Sequence, residues 1–208
     1  MYVDRPLKEY LDDLAAKKPA PGGGSAAALA AAIGTSLMSM AANFTIGKPK
    51  HKETEEKIAA ILAKSREYDS KLRSMVDEDV LAYARLSKGL KELAGAGNDA
   101  ARDGLYKGAI EPPFLVCEIA HNCMKLCKEL AACGNENLIT DVAAAAVMLE
   151  SAYMCAKFNV YINLGYVKDL DYIARVHKVI SPLEEEMPEL KVEILEMCED
   201  VIKKMSGA

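Results

Sequence analysis

Apolar residues recur at three- and four-residue intervals along almost the whole chain, and no convincing run of alternating β-branched residues interrupts them. A chain with that single period folds as an all-α protein, here expected as an antiparallel bundle of long helices. Leu7, Tyr10, Leu11 and Leu14 predict a short first helix after Pro6, a residue suited to a helix start. The stretch from Lys17 to Gly24 breaks it, and Ser25 is placed to cap a second helix running to about Thr45. Gly47 and Pro49 end that helix. A long third helix is expected over 52–92, with Ile58, Ile61, Leu62, Tyr68, Leu72, Met75, Val76, Val80 and Tyr83 on its apolar stripe.

Gly95, Gly97 and Asn98 predict a turn into a fourth helix over 100–132, which Pro112 and Pro113 should break or kink. Gly134, Asn135, Glu136 and Asn137 form the next turn. Thr140 or Asp141 then opens a fifth helix reaching Val167, and the charged stretch 169–205 is helical, with breaks expected near Pro182 and Pro188. There is no repeat and no low-complexity linker, so 1–208 reads as a single helical domain. Two helices, 26–42 and 141–163, are rich in small residues and should pack closely on each other or on a second copy. Long helices with apolar faces to cover also lead to the expectation of a dimer-forming chain.

Composition narrows the partners. Of 208 residues, 51% are hydrophobic and 27% charged, enough to bury a core without disulfides or metal. The formal net charge of −5 speaks against nucleic acid, whose phosphates call for a basic face. Lys48, Lys50, His51 and Lys52 run against that trend and form either a solvated helix start or a landing site for an anion. The N-terminus carries no apolar signal-peptide core, and 26–42 reads as a buried helix rather than a membrane span. Cys117, Cys123, Cys127, Cys133, Cys155 and Cys198 contain no CxxC pair. Cys123 and Cys127 have a helical i,i+4 spacing but no local partner ligands, so no metal site is expected, and the thiols suit a reducing cytoplasm.

Three polar features could carry chemistry. Gly22, Gly23 and Gly24 precede a helix start, where bare backbone and unpaired N–H groups can approach an anion; a plain turn explains the same pattern. Asn43, Asn159 and Asn163 interrupt apolar helical faces, as ligand contacts or as structural amides. Asp141 shares the face of Asn159 and Asn163, yet eighteen residues rise roughly 27 Å, too far for one small ligand unless another helix or subunit intervenes. Asp77, Glu78 and Asp79 lie mid-helix; Asp77 and Glu78 read as an exposed acidic turn, whereas Asp79 sits nearer the apolar side, where burial would suit it to acid–base work. His51, His121 and His177 are isolated, and His121 reads as structural.

Taken in order, Pro19 to Ser25, Met40 to Lys48, Asp77 to Asp79, Gly134 to Asp141 and Asn159 to Leu164 resemble the cyclodeaminase/cyclohydrolase family. This family includes the cyclodeaminase domain of formiminotransferase-cyclodeaminase and free-standing methenyltetrahydrofolate cyclohydrolases. The resemblance covers roughly residues 5–205. Thr140 stands where the family usually has Ser, Pro49 follows Lys48 where a further Lys is common, and Leu90 to Gly104 matches poorly.

The resemblance implies an all-helical homodimer with an interfacial site and a folate substrate, without further cofactor. Cyclohydrolysis adds water to the bridging carbon of 5,10-methenyltetrahydrofolate and yields 10-formyltetrahydrofolate. Cyclodeamination lets N10 of 5-formiminotetrahydrofolate attack the same carbon, and ammonia leaves. The length leaves no room for a transferase domain, which favours the cyclohydrolase, with the cyclodeaminase and a non-catalytic binding protein as alternatives. On this resemblance Asp141 or Asp79 is the catalytic carboxylate. Gly22, Gly23, Gly24, Ser25, Asn43, Asn135, Asn137, Asn159 and Asn163 bind substrate, and Lys48 with its basic neighbours seats a polyglutamylated tail.

Overall fold

A computed structural model describes residues 1–95 and 98–207. Among them six α-helices follow one another: α1 (Leu7–Ala15), α2 (Gly23–Asn43), α3 (Glu55–Glu92), α4 (Asp99–Cys133), α5 (Ile139–Leu164) and α6 (Leu170–Ser206). Short 3-10 turns at Tyr2–Asp4, Pro49–Thr54 and Glu136–Leu138 join them, and the described residues contain no strand. The third helix thus starts three residues later than its periodicity suggested, because Pro49 opens a 3-10 turn instead. Gly97, part of the expected turn after α3, lies outside the described residues.

From α2 onward, successive helices run antiparallel. Ser36 of α2 bonds Asp69 of α3, and Ser25 bonds Asp79, so the two ladders run in opposite senses. Helix α2 packs on α3, α4 and α5, and α6 covers α4 and α5. The small residues of α2 explain its central place. A Cβ on Gly34 would sit 3.2 Å from the Ala145 carbonyl and 3.0 Å from Leu149, so the α2–α5 approach depends on a bare backbone there. This is the packing of the two small-residue helices on each other. Both α2 and the stretch Glu136–Leu164 are long and apolar enough to cross a bilayer. In this fold Ala27, Ala28, Ala31, Ala145, Ala146 and Leu149 are instead core.

The prolines break nothing. Helix α4 runs through Pro112 and Pro113, and α6 through Pro182 and Pro188. The rings of Pro112 and Pro113 are buried, so packing offsets the missing N–H donors; Pro182 and Pro188 face solvent, where water can satisfy the freed carbonyls. Helix starts also differ from expectation. Gly22, not Ser25, is the N-cap of α2, and as a glycine it has no side chain to cap with. Asn98 caps α4 through the Ala101 N–H, and Asp169 caps α6 through the Tyr172 N–H.

Asp77 is buried rather than part of an exposed turn. Its Oδ1 and Oδ2 accept the backbone N–H groups of Tyr2 (2.6 Å) and Val3 (3.3 Å), pinning the N-terminal segment to α3. Tyr2 then meets Tyr10 edge-on, at 5.4 Å between ring centroids.

Candidate functional site at the N-terminus of α2

Helix α2 is shorter than its neighbours α3 and α5 and starts at Gly23, while both neighbours continue past it. The gap left beneath its first turn is a cleft of about 300 Å³. The glycines 22–24, with Pro19 and Ala20, form one end; Asp79, Tyr83 and Leu86 of α3 line one wall; Asn159, Ile162 and Asn163 of α5 line the other; Ala109 of α4 lies between. The first turn of α2, whose N-cap glycine has no side chain to cap it, also brings its partial positive charge here.

Asp79 meets this turn directly. Its Oδ2 accepts the Ser25 backbone N–H at 2.9 Å. Burial pushes its carboxyl above the ordinary aspartate range, and the Ser25 bond opposes part of that rise. The result is a carboxyl able to hold or release a proton at the edge of the cleft. Ser25 itself is held from behind. Its hydroxyl donates to the Val76 carbonyl at 2.8 Å, which leaves the Tyr10 hydroxyl to donate to Ser25 Oγ at 3.2 Å. Ser25 therefore acts on the site only by holding Asp79 through its backbone N–H, because its side chain is fully buried.

The two asparagines of α5 bond back along their own helix. Asn159 Nδ2 donates to the Cys155 carbonyl (2.8 Å) and Asn163 Nδ2 to the Asn159 carbonyl (3.0 Å). Their Oδ1 atoms accept no hydrogen bond among the described residues, so each leaves an acceptor for a donor entering the cleft.

The other predicted residues lie elsewhere. Asn43, Lys48, Asn135, Asn137 and Asp141 gather around the far end of α2, a helix of 21 residues and so roughly 30 Å long. Asn135 is spent within the chain: its backbone N–H donates to Thr45 Oγ1 (3.0 Å), its Nδ2 to the Phe44 carbonyl (3.1 Å), and its Oδ1 accepts from the Asn137 N–H (3.1 Å). It locks the α4–α5 turn onto the end of α2. Asn43 accepts from Arg66 at 3.3 Å. Lys48 is exposed, Asp141 is half-buried in the first turn of α5, and Lys50 pairs with Glu136 at 2.7 Å. Within one chain the glycine loop meets Asp79, Asn159 and Asn163, and not Asp141.

Among the described residues no three His, Cys, Asp or Glu side chains come together as a metal site. Cys123 and Cys127 are wholly buried; burial pushes the Cys123 thiol up to about 12 and Cys127 higher still. His121 bonds Glu186 at 2.7 Å and ties α4 to α6. Sequence reasoning missed the cleft's apolar lining. Tyr83 belongs to the apolar stripe of α3 in the sequence, and Ile162 stands between two asparagines; in the structure both line the cleft. The i,i+4 spacing of Asp79 and Tyr83 was the available signal.

Residues 6–182 match the family model described as formiminotransferase-cyclodeaminase. A methenyltetrahydrofolate cyclohydrolase of Methylorubrum extorquens is 33% identical over 184 residues, 86% of either chain. The mouse formimidoyltransferase-cyclodeaminase is 31% identical over 190 residues, 88% of this chain but 35% of its own length. The crystal structure of formiminotetrahydrofolate cyclodeaminase from Thermotoga maritima superposes with a TM-score of 0.90 at 25% identity, covering 97% of this chain and all of that one. Fold, matched residues and identity agree: the chain belongs to the formiminotransferase-cyclodeaminase family.

Proposed function

We propose that this protein is a methenyltetrahydrofolate cyclohydrolase, hydrolysing 5,10-methenyltetrahydrofolate to 10-formyltetrahydrofolate. Asp79 carries this reading: a half-buried carboxyl of raised pKa, bonded to the first turn of α2, in a cleft with two unused asparagine acceptors. Identity to the Methylorubrum cyclohydrolase over 86% of both chains supports it.

The methenyl carbon is electrophilic because its positive charge is shared with N5 and N10. The Asp79 carboxylate stabilises that cation and accepts a proton from the water that attacks it. A carbon–oxygen bond forms and gives a carbinolamine. Its collapse breaks the bond to N5, moves the hydroxyl proton to that nitrogen and leaves the formyl group on N10. One proton is released overall, through Asp79. Asn159 and Asn163 orient the ring system.

A second reading is favoured by the fold match to the Thermotoga formiminotetrahydrofolate cyclodeaminase. In that lyase reaction N10 attacks the formimino carbon of 5-formiminotetrahydrofolate and ammonia departs, with the same carboxyl moving the proton. Purified protein mixed with 5,10-methenyltetrahydrofolate is expected to speed the loss of its near-ultraviolet absorbance. Loss no faster than in buffer, with ammonia released from 5-formiminotetrahydrofolate, would replace the first reading by the second. Silence in both assays would leave a binding protein.

The setting belongs to the same proposal. A homodimer would let Asp141, Asn43 and Asn137 of one subunit approach the glycine-loop cleft of the other, bridging the length of α2. An apolar groove of about 460 Å³ between the N-terminal segment and α2, with Leu7 and Ile33 exposed along it, supports such packing. Lys48 and Lys52, exposed at the far end of α2, would receive a polyglutamylated tail. The protein would act in the cytoplasm without cofactor other than its folate substrate, and without nucleic acid or membrane.

A further inference from the structure

The cleft carries two kinds of lining: Asp79 and the asparagine acceptors are polar, whereas Tyr83, Leu86, Ala109 and Ile162 are largely apolar. On α3, Asp79, Tyr83 and Leu86 are spaced i, i+4, i+7 and share one face. Across the gap on α5, Ile162 sits between Asn159 and Asn163.

Leu86 and Ala109 are buried, as packing requires. Tyr83 and Ile162 are not: they keep 43% and 61% of their surface exposed although both line the cleft. Among the described residues Tyr83 has no aromatic neighbour and no cation over its ring, although seven cation–ring pairs occur elsewhere in the chain. Large apolar surfaces left open in one cleft are costly to hydrate, and a flat occupant that covers both relieves them at once.

The edge of that occupant is also specified. Asn159 and Asn163 each spend one amide N–H on a carbonyl of α5, so each keeps a free Oδ1 acceptor and one further N–H. A group filling the slot therefore needs two flat, weakly polar faces and a rim on which N–H donors stand beside acceptors. At about 300 Å³ the cleft is at the small end of ligand sites and takes one compact ring system rather than an extended molecule.

We propose that Tyr83 is a substrate-binding residue that seats the bicyclic pterin ring, with Ile162 closing the opposite face and the ring's N–H edge on Asn159 and Asn163. The bridging carbon then emerges at Asp79, and the aminobenzoyl-glutamate portion leaves the cleft. The inference rests on the folate reading above and assigns to Tyr83 the seating of the ring, distinct from the proton chemistry of Asp79.

The test uses pterin-6-carboxylate, a flat ring with no carbon to hydrolyse, titrated calorimetrically into the parent, Tyr83→Phe, Tyr83→Ala and Asp79→Asn proteins. Parent and Tyr83→Phe are expected to bind within about twofold of each other, and Tyr83→Ala about tenfold more weakly, the scale of one aromatic stack. Tyr83→Ala should likewise raise KM for 5,10-methenyltetrahydrofolate by about tenfold with a smaller change in kcat. Equal binding by Tyr83→Ala and parent overturns the proposal, as does a parent that turns over the methenyl substrate without binding the pterin. Should Tyr83→Ala not fold, Ile162→Ser reads the same seat from the other wall, with the same expected weakening and the same overturning result. Full turnover by Asp79→Asn would refute the catalytic reading alone, because the titration still reports the ring seat.

Discussion

Gly24 and Asp79 occupy space that only a glycine leaves open: a Cβ on Gly24 would collide with Oδ1 of Asp79. The first turn of α2 can therefore lie against the carboxyl, and the Ser25 N–H can reach it at 2.9 Å. Gly24→Ala is expected to displace Asp79, lower turnover at least about a hundredfold and cost about 1–3 kcal/mol of stability from overpacking. Gly22→Ala is the control. A Cβ there meets nothing within 4 Å, so it should leave Asp79 in place and cost only about 1 kcal/mol or less, from alanine at the N-cap.

Asp79→Asn separates activity from stability. Burial raises the carboxyl's pKa, so the folded state holds this proton more tightly than the unfolded chain does. Asp79's contribution is fully present below the ordinary carboxylate pKa and is lost as pH rises through the elevated one. Measured by thermal melts across that window, the variant should gain on the parent as pH rises, then hold a constant offset. Its turnover should fall by about 10²–10⁴-fold, the usual scale of a lost acid–base group. A variant whose melting temperature keeps the same offset from the parent at every pH would contradict the burial argument.

Asp77→Ala should act on the N-terminal segment rather than on the chemistry. Removing the carboxylate leaves the Tyr2 and Val3 N–H groups without their acceptor. A loss of about 1–3 kcal/mol is expected. Limited proteolysis should show faster cleavage ahead of α2, while the pH at which activity is half-maximal stays in place.

Cysteine reactivity should follow burial. Desolvation pushes the Cys117 and Cys123 thiols up to about 12, so at neutral pH neither is a thiolate, whereas Cys155 is exposed. Brief treatment with iodoacetamide followed by peptide mass spectrometry should find Cys155 labelled first, and Cys117, Cys123 and Cys127 unlabelled until the protein is denatured.

Local chemistry made much of this protein readable from its residues. The 3.6-residue period is a property of consecutive residues, and it located all six helices to within a few positions. The small side chains of α2 and α5 foretold their close contact, because backbone approach depends on side-chain size at the contact. The motif order was enough to recognise the family. Pro112, Pro113, Pro182 and Pro188 did not act as local rules predict, since core packing in α4 and solvent access in α6 absorb the lost N–H groups.

Only the tertiary structure sorted the polar residues into two groups. Asp77 and Asp79 are two positions apart and identical in chemistry, yet one anchors the N-terminal segment and the other borders the cleft, because a helix turns them toward different neighbours. Asn159 and Asp141 share a helical face but stand at opposite ends of α2, and Asn135, read as a ligand contact, is consumed in joining two helices. Tyr83 lay on the predicted core stripe and became cleft wall because α2 begins at Gly23 and leaves that stretch of α3 uncovered. Periodicity tells which face of a helix is apolar. What covers that face depends on where a neighbouring helix stops, and that is settled by packing between residues distant in the chain.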